Sequence, residues 1–202
     1  MTTRHKKRIL FGFCCLVLGA VLVIGIRFAT YKSDETHYHA NFAVYVNGKR
    51  DEFKSFAYYE EVQACVDHSV DNPKLQVHMH DRNNGLIHVH ETGMTWGYFF
   101  ANLGYTLGDS VIKTESGVYV DGQDKKLSFI LNGEPVTSIA GKIIKTEDRL
   151  LINYGNDDKK TLTERYNSAP TDAPRANTEH DPSTCSGGHD LNFWERLKKS
   201  TI

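Results

Sequence analysis

The chain has 202 residues, with 24 Lys and Arg against 25 Asp and Glu and a formal net charge of −1 at pH 7. This length fits one ordinary domain with attachments and is too short for two large domains. The balanced charge leaves no basic surface for nucleic acid, and a hydrophobic fraction of 40% argues against a disordered chain. Ten histidines and four cysteines are the unusual residues. They point to metal chemistry.

The N-terminus carries a basic segment followed by an apolar one. Residues 1–8 include Arg-His-Lys-Lys-Arg, and residues 9–26 are an uncharged run of 18, about the minimum for a helix that spans a bilayer. We expect a single-pass anchor in the cell membrane over residues 9–29, with the N-terminus cytoplasmic and the main domain extracytoplasmic. A cleaved signal peptide is the alternative, although Arg27-Phe28-Ala29 places a large cation where such a peptide needs a small residue.

The four cysteines divide into two pairs. Cys14 and Cys15 lie inside the apolar run, where we expect membrane-embedded thiols. Cys65 and Cys185 lie in the exported part, where an isolated pair usually oxidises, so we expect a disulfide between them. Closing this long loop would stabilise the fold by roughly 5 kcal/mol on chain-entropy arithmetic. Two independent free thiols are the alternative.

Composition divides the exported part into a domain and a tail. Residues 30–36 form a polar spacer, and residues 37–155 contain the apolar runs of a globular domain. Residues 156–190 are polar and contain three of the five prolines, so we expect a flexible tether. The pattern in residues 191–202 predicts a short C-terminal helix with Asp190 as its N-cap.

Short apolar runs that end in turn dipeptides predict β-hairpins in the domain, because these dipeptides tolerate the positive φ of tight turns. The dipeptides are Asn47-Gly48, Asp121-Gly122 and Asn132-Gly133. Residues 150–154 predict a closing strand. Apolar spacing over residues 96–103 predicts a helix with Thr95 as N-cap, and residues 58–66 are a candidate for a second helix. We therefore expect, after the transmembrane helix, a β-rich α+β domain of hairpins with one or two packed helices.

Six of the histidines form three His-x-His pairs. The pairs are His37/His39, His78/His80 and His88/His90. A spacing of two is the period of a β-strand, so both histidines of a pair face one side, opposite the neighbouring apolar residues. The second and third pairs flank residues 81–85, a turn of hairpin character. We expect His80 beside His88 across this hairpin, with His78 opposite His90.

Four imidazoles on one hairpin predict a metal site. Neutral imidazole nitrogens bind Zn²⁺ at about 2.0 Å and also suit Cu²⁺, whereas the lack of a carboxylate cage argues against Ca²⁺ and Mg²⁺. With the first pair alongside, three or four of the six histidines would bind copper or zinc, and the rest would support them or form a second site. Asp81 and Glu91 are adjacent candidates for oxygen ligands or orienting acceptors. A solvated polar face and a pH sensor are the alternatives.

One short segment resembles a known copper site. Residues 85–93 are similar to the HVHE segment of copper/zinc superoxide dismutases, where the two histidines bind copper. The similarity covers fewer than ten residues, and nothing like that family's zinc loop follows before His180. We therefore interpret it as coincidental.

A longer resemblance covers residues 37–155. The order of His-x-His, an Asn-Gly turn, Cys, His-x-His-Asp with His-Val-His, a Phe-rich helix and an Asn-Gly hairpin is similar to that of an uncharacterised family of single-pass, exported, His-rich bacterial and archaeal proteins. These features fall here at residues 37–39, 47–48, 65, 78–81, 85–89, 99–100, 107–109 and 132–133. The resemblance implies a fold and a cellular location and carries no activity.

Three functions follow as hypotheses. The first is a membrane-anchored extracytoplasmic protein that buffers or delivers copper or zinc through its His-x-His pairs. The second is an exported metalloenzyme with an open coordination position and an activated water, for which Glu91 is the nearby base. The third is an envelope interaction domain with incidental histidines. Since the sequence offers no positioned nucleophile, it favours metal binding without catalysis.

Overall fold

The computed structural model describes residues 3–30, 36–59, 73–179 and 193–201. The chain forms two compact units: one contains the N-terminal helix α1 (Thr3–Thr30) and the C-terminal segment, and the other is a mixed α+β domain, Glu35–Gly187. The predicted α+β class is confirmed. The predicted disulfide between Cys65 and Cys185 lies outside the described residues. Within those residues, Cys14 and Cys15 are free thiols.

The described part of the domain forms two sheets. In chain order the described strands are β1 (Tyr38–Val46), β2 (Lys49–Arg50), β3 (Val77–His78), β4 (Leu86–Val89), β5 (Thr106–Leu107), β6 (Val111–Thr114), β7 (Gly117–Val120), β8 (Lys126–Leu131), β9 (Glu134–Val136) and β10 (Arg149–Gly155). The main sheet has the spatial order β3-β4-β1-β10-β8-β9, with β2 paired to the end of β1. β1 and β10 are parallel, and the other neighbours in this sheet are antiparallel. β5, β6 and β7 form a small second sheet.

Two of the three predicted tight turns close hairpins. Asn47-Gly48 joins β1 to β2 and Asn132-Gly133 joins β8 to β9, with positive φ at all four residues. The hairpin predicted at Asp121-Gly122 is wrong, because the chain passes there from the small sheet to the main sheet. The Asp121 carboxylate instead accepts a hydrogen bond from the Leu127 backbone at 2.7 Å. The strand predicted at residues 150–154 forms as β10, in the middle of the sheet rather than at its edge.

One face of the main sheet carries the large apolar core. Helix α2 (Trp96–Asn102) packs here, and Phe42 of β1 has its ring centroid 5.1 Å from that of Phe99. The side chains of α2 that are fully buried are Trp96, Phe99 and Phe100. Thr95 caps the helix as predicted, since its hydroxyl accepts from the Tyr98 backbone N–H at 3.2 Å.

The opposite face is covered by the segment that follows β10. The flexible tether predicted over residues 156–190 is wrong for its first part, which forms α3 (Lys159–Ser168) and α4 (Ala173–Ala176). Polar contacts hold this segment against the sheet. Arg165 pairs with both carboxylate oxygens of Asp157 at 2.6 and 2.8 Å, and Arg149 of β10 donates to the carbonyl of Ala169. The globular unit therefore extends past residue 155. Residues 180–190 lie outside the described part.

The described residues of the second unit form two helices. In α1, the stretch Lys7–Thr30 has 24 residues and is long and apolar enough to cross a membrane. The C-terminal helix α5 (Phe193–Thr201) packs along it, with the Phe28 and Phe193 ring centroids 5.3 Å apart. The Arg196 guanidinium donates to the Phe28 carbonyl at 2.9 Å. By length and composition α1 fits either a membrane anchor or a signal sequence.

Candidate metal centre

The three His-x-His pairs form one cluster on the face of the main sheet opposite the apolar core. Along β1, Ala40 and Phe42 belong to the core, whereas His39 and Asn41 point to the other side. The six rings contact one another with centroid separations between 3.6 Å for His80 and His88 and 6.4 Å for His88 and His90. The six-histidine cluster thus consists of residues His37, His39, His78, His80, His88 and His90. The predicted alternation of polar and apolar faces is correct.

The hairpin that carries four of these histidines forms with a different register. His78 pairs with His88 rather than with His90, and β3 ends at His78. The chain then turns early, because Asp81 and Arg82 both have φ of 55°. His80 consequently lies beyond the strand and places its ring against His88.

His88 lies at the centre of the cluster. Strand β4 runs between β3 and β1, so His88 has His78 on one side and His39 on the other as backbone partners. The rings of His39 and His80 also contact the His88 ring, with centroids 4.3 and 3.6 Å away. The two flanking strands, β1 and β3, and the turn after β3 therefore each bring a histidine against the same imidazole.

The cluster is closed from solvent. His39, His78, His80 and His88 are only 2–4% exposed, and His37 and His90 are half-buried. The solvated polar face considered from the sequence is therefore wrong for these four side chains. Residues 170–179, which we name the strap, lie against the sheet beside the cluster and contact it at His39.

A side chain of the strap fixes the ring of His39. The Asn177 Oδ1 atom accepts hydrogen bonds from the His39 backbone N–H at 2.9 Å and from His39 Nδ1 at 2.8 Å. An amide oxygen only accepts, so Nδ1 carries a proton, and in the neutral ring Nε2 carries the lone pair. That Nε2 atom lies 2.9 Å from His88 Nδ1.

Asp81 fixes the ring of His80 in the same way. Its Oδ2 atom lies 2.6 Å from His80 Nδ1, which therefore carries a proton, and His80 Nε2 lies 3.0 Å from His88 Nδ1. Asp81 is thus an orienting acceptor, one of the two roles expected from the sequence. Glu91 instead accepts from the backbone and hydroxyl of Thr92 at 3.0 and 3.2 Å.

Two ring nitrogens consequently face one nitrogen of His88. When the three rings are neutral, the Nε2 atoms of His39 and His80 both carry lone pairs, and a proton on His88 Nδ1 can be directed at only one of them. A cation bound beside His88 Nδ1 would remove this competition by accepting a lone pair from more than one ring. Two ligand nitrogens on tetrahedral Zn²⁺ lie about 3.3 Å apart, close to the 2.9 and 3.0 Å that separate His88 Nδ1 from these two Nε2 atoms.

A second set, in which His37 takes the place of His80, is the one whose ligand atoms have the spacing of a metal site among the described residues. The candidate ligand atoms of His37, His39 and His88 lie within 4.8 Å of one another, and this group could hold a metal ion. Imidazole alone does not select among zinc, copper and nickel. His39 and His88 belong to both sets, which makes them the common part of any metal centre here.

The buried rings favour the neutral form that binds metals. Burial lowers the pKa of His78 to about 4 and that of His90 to about 3, and repulsion by neighbouring histidines adds to both effects. Burial and the same neighbours hold the pKa of His88 well below its usual value. Among the described residues, His90 Nε2 is buried and has no hydrogen-bond partner. Near neutral pH these three rings offer lone pairs.

Asn41 ties the strap to the sheet. Its Nδ2 atom donates to Asp172 at 2.6 Å, and its Oδ1 atom accepts from the Ala173 backbone at 2.9 Å. Asp172 also accepts from Asn83 at 2.8 Å. Asn41 is in phase with His39 in the sequence, but no sequence signal marks Asp172 or Asn177, because their partners Asn41, Asn83 and His39 lie more than 80 residues away.

A glycine lets the strap approach the hairpin. At Gly85 an added Cβ would clash with the Cγ atom of Pro170. The position therefore admits no side chain while Pro170 is in place. This contact and the Asn41 bonds fix the start of the strap beside the cluster.

No family model, characterised protein or solved structure matches this chain. The resemblance to exported His-rich proteins therefore stays a prediction.

Proposed function

We propose that this protein is a membrane-anchored, extracytoplasmic metal-binding protein that buffers or delivers copper or zinc at the six-histidine cluster. One observation carries the proposal: the Nε2 atoms of His39 and His80 face His88 Nδ1 at 2.9 and 3.0 Å. The Nδ1 atoms of these two rings are bonded to Asn177 and Asp81. Outer acceptors of this kind orient metal-binding histidines in proteins generally.

The ligand set is His37, His39 and His88, whose candidate ligand atoms lie within 4.8 Å of one another, and His80 is the candidate fourth ligand because its Nε2 atom lies 3.0 Å from His88 Nδ1. His78 and His90 support these rings or form a second site. An all-imidazole set suits zinc and copper and gives Ca²⁺ and Mg²⁺ no oxygen cage.

The burial of the cluster favours binding over catalysis. A catalytic metal keeps an open coordination position for water or substrate, whereas a closed site holds its metal with protein ligands. His39, His80 and His88 are at most 4% exposed. Glu91, the base that an enzyme would need, is exposed and bonded to Thr92.

The location rests on α1. Its stretch Lys7–Thr30 has the length of a membrane span, and the cations before it favour a cytoplasmic N-terminus. The domain that follows would then face the outside of the cell, where it could bind metal ions before they enter the cytoplasm.

The test is a titration of the full chain in detergent with Zn²⁺ and with Cu²⁺, each in competition with a chromophoric chelator. Wild-type protein is expected to compete for metal, and His88→Ala should weaken binding by more than the roughly 10–100-fold typical of outer-shell substitutions. His5→Ala is the matched control, because His5 lies in α1 outside the domain. A wild-type chain that does not compete for either ion, or a His88→Ala chain that binds like wild type, would overturn the proposal.

A further inference from the structure

We propose that the strap is a working part of the metal centre: Asn177 positions His39 as a ligand, so that metal binding and docking of the strap stabilise each other. This inference rests on the proposed function. It assigns Asn177 as a positioning residue and assigns a role to a segment whose sequence suggests only a linker.

The orientation of Asn177 is fixed from both ends of its amide. Its oxygen accepts from the backbone and the ring of His39, and its Nδ2 atom donates to the Thr146 hydroxyl at 3.0 Å. The amide therefore cannot rotate without breaking three hydrogen bonds. While it stays in place, it holds the His39 proton on Nδ1 and presents the Nε2 lone pair to the cluster.

The residues that anchor the strap differ from the residue that positions His39. Asp172 and Pro170 fasten the beginning of the strap through Asn41, Asn83 and Gly85. Asn177, seven residues after Pro170, makes the contact with a histidine ring. A substitution at Asn177 can thus remove the positioning contact and leave the anchoring contacts intact.

The two events are linked thermodynamically. If the docked strap raises the affinity of the site for a metal by some factor, the bound metal favours the docked strap by the same factor. Loss of an outer-shell acceptor typically costs 10–100-fold in metal affinity, which sets the size of the coupling. The strap should therefore open more often in the metal-free protein than in the metal-loaded protein.

The first test measures Zn²⁺ affinity of the full chain with substitutions at Asn177. Asn177→Ala should weaken binding about 10–100-fold, whereas Asn177→Asp keeps an acceptor for both His39 donors and should restore most of the loss. Thr178→Ala is the matched control, because the Thr178 hydroxyl bonds the Arg175 carbonyl and no histidine. Nitrogen NMR of His39 should show a proton on Nδ1 in wild type and a mixture of the two tautomers in Asn177→Ala. If Asn177 only stabilised the fold, its loss would not change the His39 tautomer.

The second test follows the strap itself by limited trypsin digestion. Arg175 lies in the strap and its side chain is 65% exposed, and Lys54, 83% exposed in the loop after β2, serves as an internal reference. Zn²⁺ should slow cleavage after Arg175 relative to cleavage after Lys54 in wild type, because cleavage follows the open population when opening is fast. In Asn177→Ala the protection should be largely lost.

The possible failures are distinguishable. A wild-type chain that binds no Zn²⁺ contradicts the proposed function and this inference together. Binding that Asn177→Ala leaves unchanged, or equal protection of Arg175 in wild type and variant, contradicts this inference alone. A loss of affinity that Asn177→Asp does not restore also overturns the positioning role.

Discussion

The two faces of the main sheet are buried by different means. On one face, the aromatic side chains of α2 and β1 exclude water through apolar contact. On the other face, buried polar side chains depend on hydrogen bonds, and two side chains of the strap, Asn177 and Asp172, bond to His39 and Asn41. A buried polar face costs free energy wherever a group lacks a partner. The stability of this face therefore depends on whether each buried polar group keeps its partner.

The largest stability effect is expected on the apolar face. Phe99→Ala should lower the free energy of unfolding by about 3–5 kcal/mol, because it removes a fully buried ring that packs on Phe42. Phe56→Ala is the matched control: its ring is 67% exposed and contacts Arg82, so its loss should cost at most about 1 kcal/mol. Urea unfolding of the full chain measures both. Equal losses would contradict this description of the core.

Acidification should lower the free energy of unfolding through the buried histidines of the cluster. Burial lowers the pKa of His78 to about 4 and of His90 to about 3, whereas an unfolded histidine titrates near 6.5. As the pH falls from about 6.5 to about 3, the unfolded chain binds protons that the folded chain does not, so the free energy of unfolding decreases. The drop should reach several kcal/mol.

Urea unfolding of metal-free protein at about pH 7.5 and about pH 5 measures this dependence. His78→Ala should reduce the drop, and Phe99→Ala should leave it unchanged because Phe99 lies on the other face. A free energy of unfolding that is equal at both pH values would show that these histidines titrate normally.

A smaller effect is expected where the strap meets the hairpin. Gly85→Ala would push Pro170 away and should cost about 1–3 kcal/mol in stability. Trypsin should then cleave faster after Arg175. Gly122→Ala is the control, because nothing lies within 4 Å of a Cβ there. If both variants resist trypsin like wild type, the strap is not fastened at Gly85.

Much of the apolar face and part of the histidine face are predictable from the sequence. Local patterns identify the helix after Thr95, the turns at Asn47-Gly48 and Asn132-Gly133, and the common face of the histidines, because strand and helix periods need no distant partner. The parallel pairing of β1 with β10 is invisible locally, since more than 100 residues separate these strands.

The metal centre itself depends on contacts that the sequence hides. The register of the hairpin follows from two successive left-handed residues, Asp81 and Arg82. The sequence predicts a turn over residues 81–85 but not the conformation of these two residues. The strap is polar and contains prolines, so its composition resembles that of a linker. Its order comes from partners such as Asn41 and His39, which lie more than 130 residues earlier.

The most direct test of the central claim is the metal content of the full chain, purified without chelators or added metal and compared with His88→Ala. We expect copper or zinc in a near-constant ratio to wild-type protein and its loss from the variant, in which the imidazole that contacts His39 and His80 is missing. Equal metal content in the two proteins, or no copper or zinc in wild type, would contradict the claim that this cluster is a metal centre.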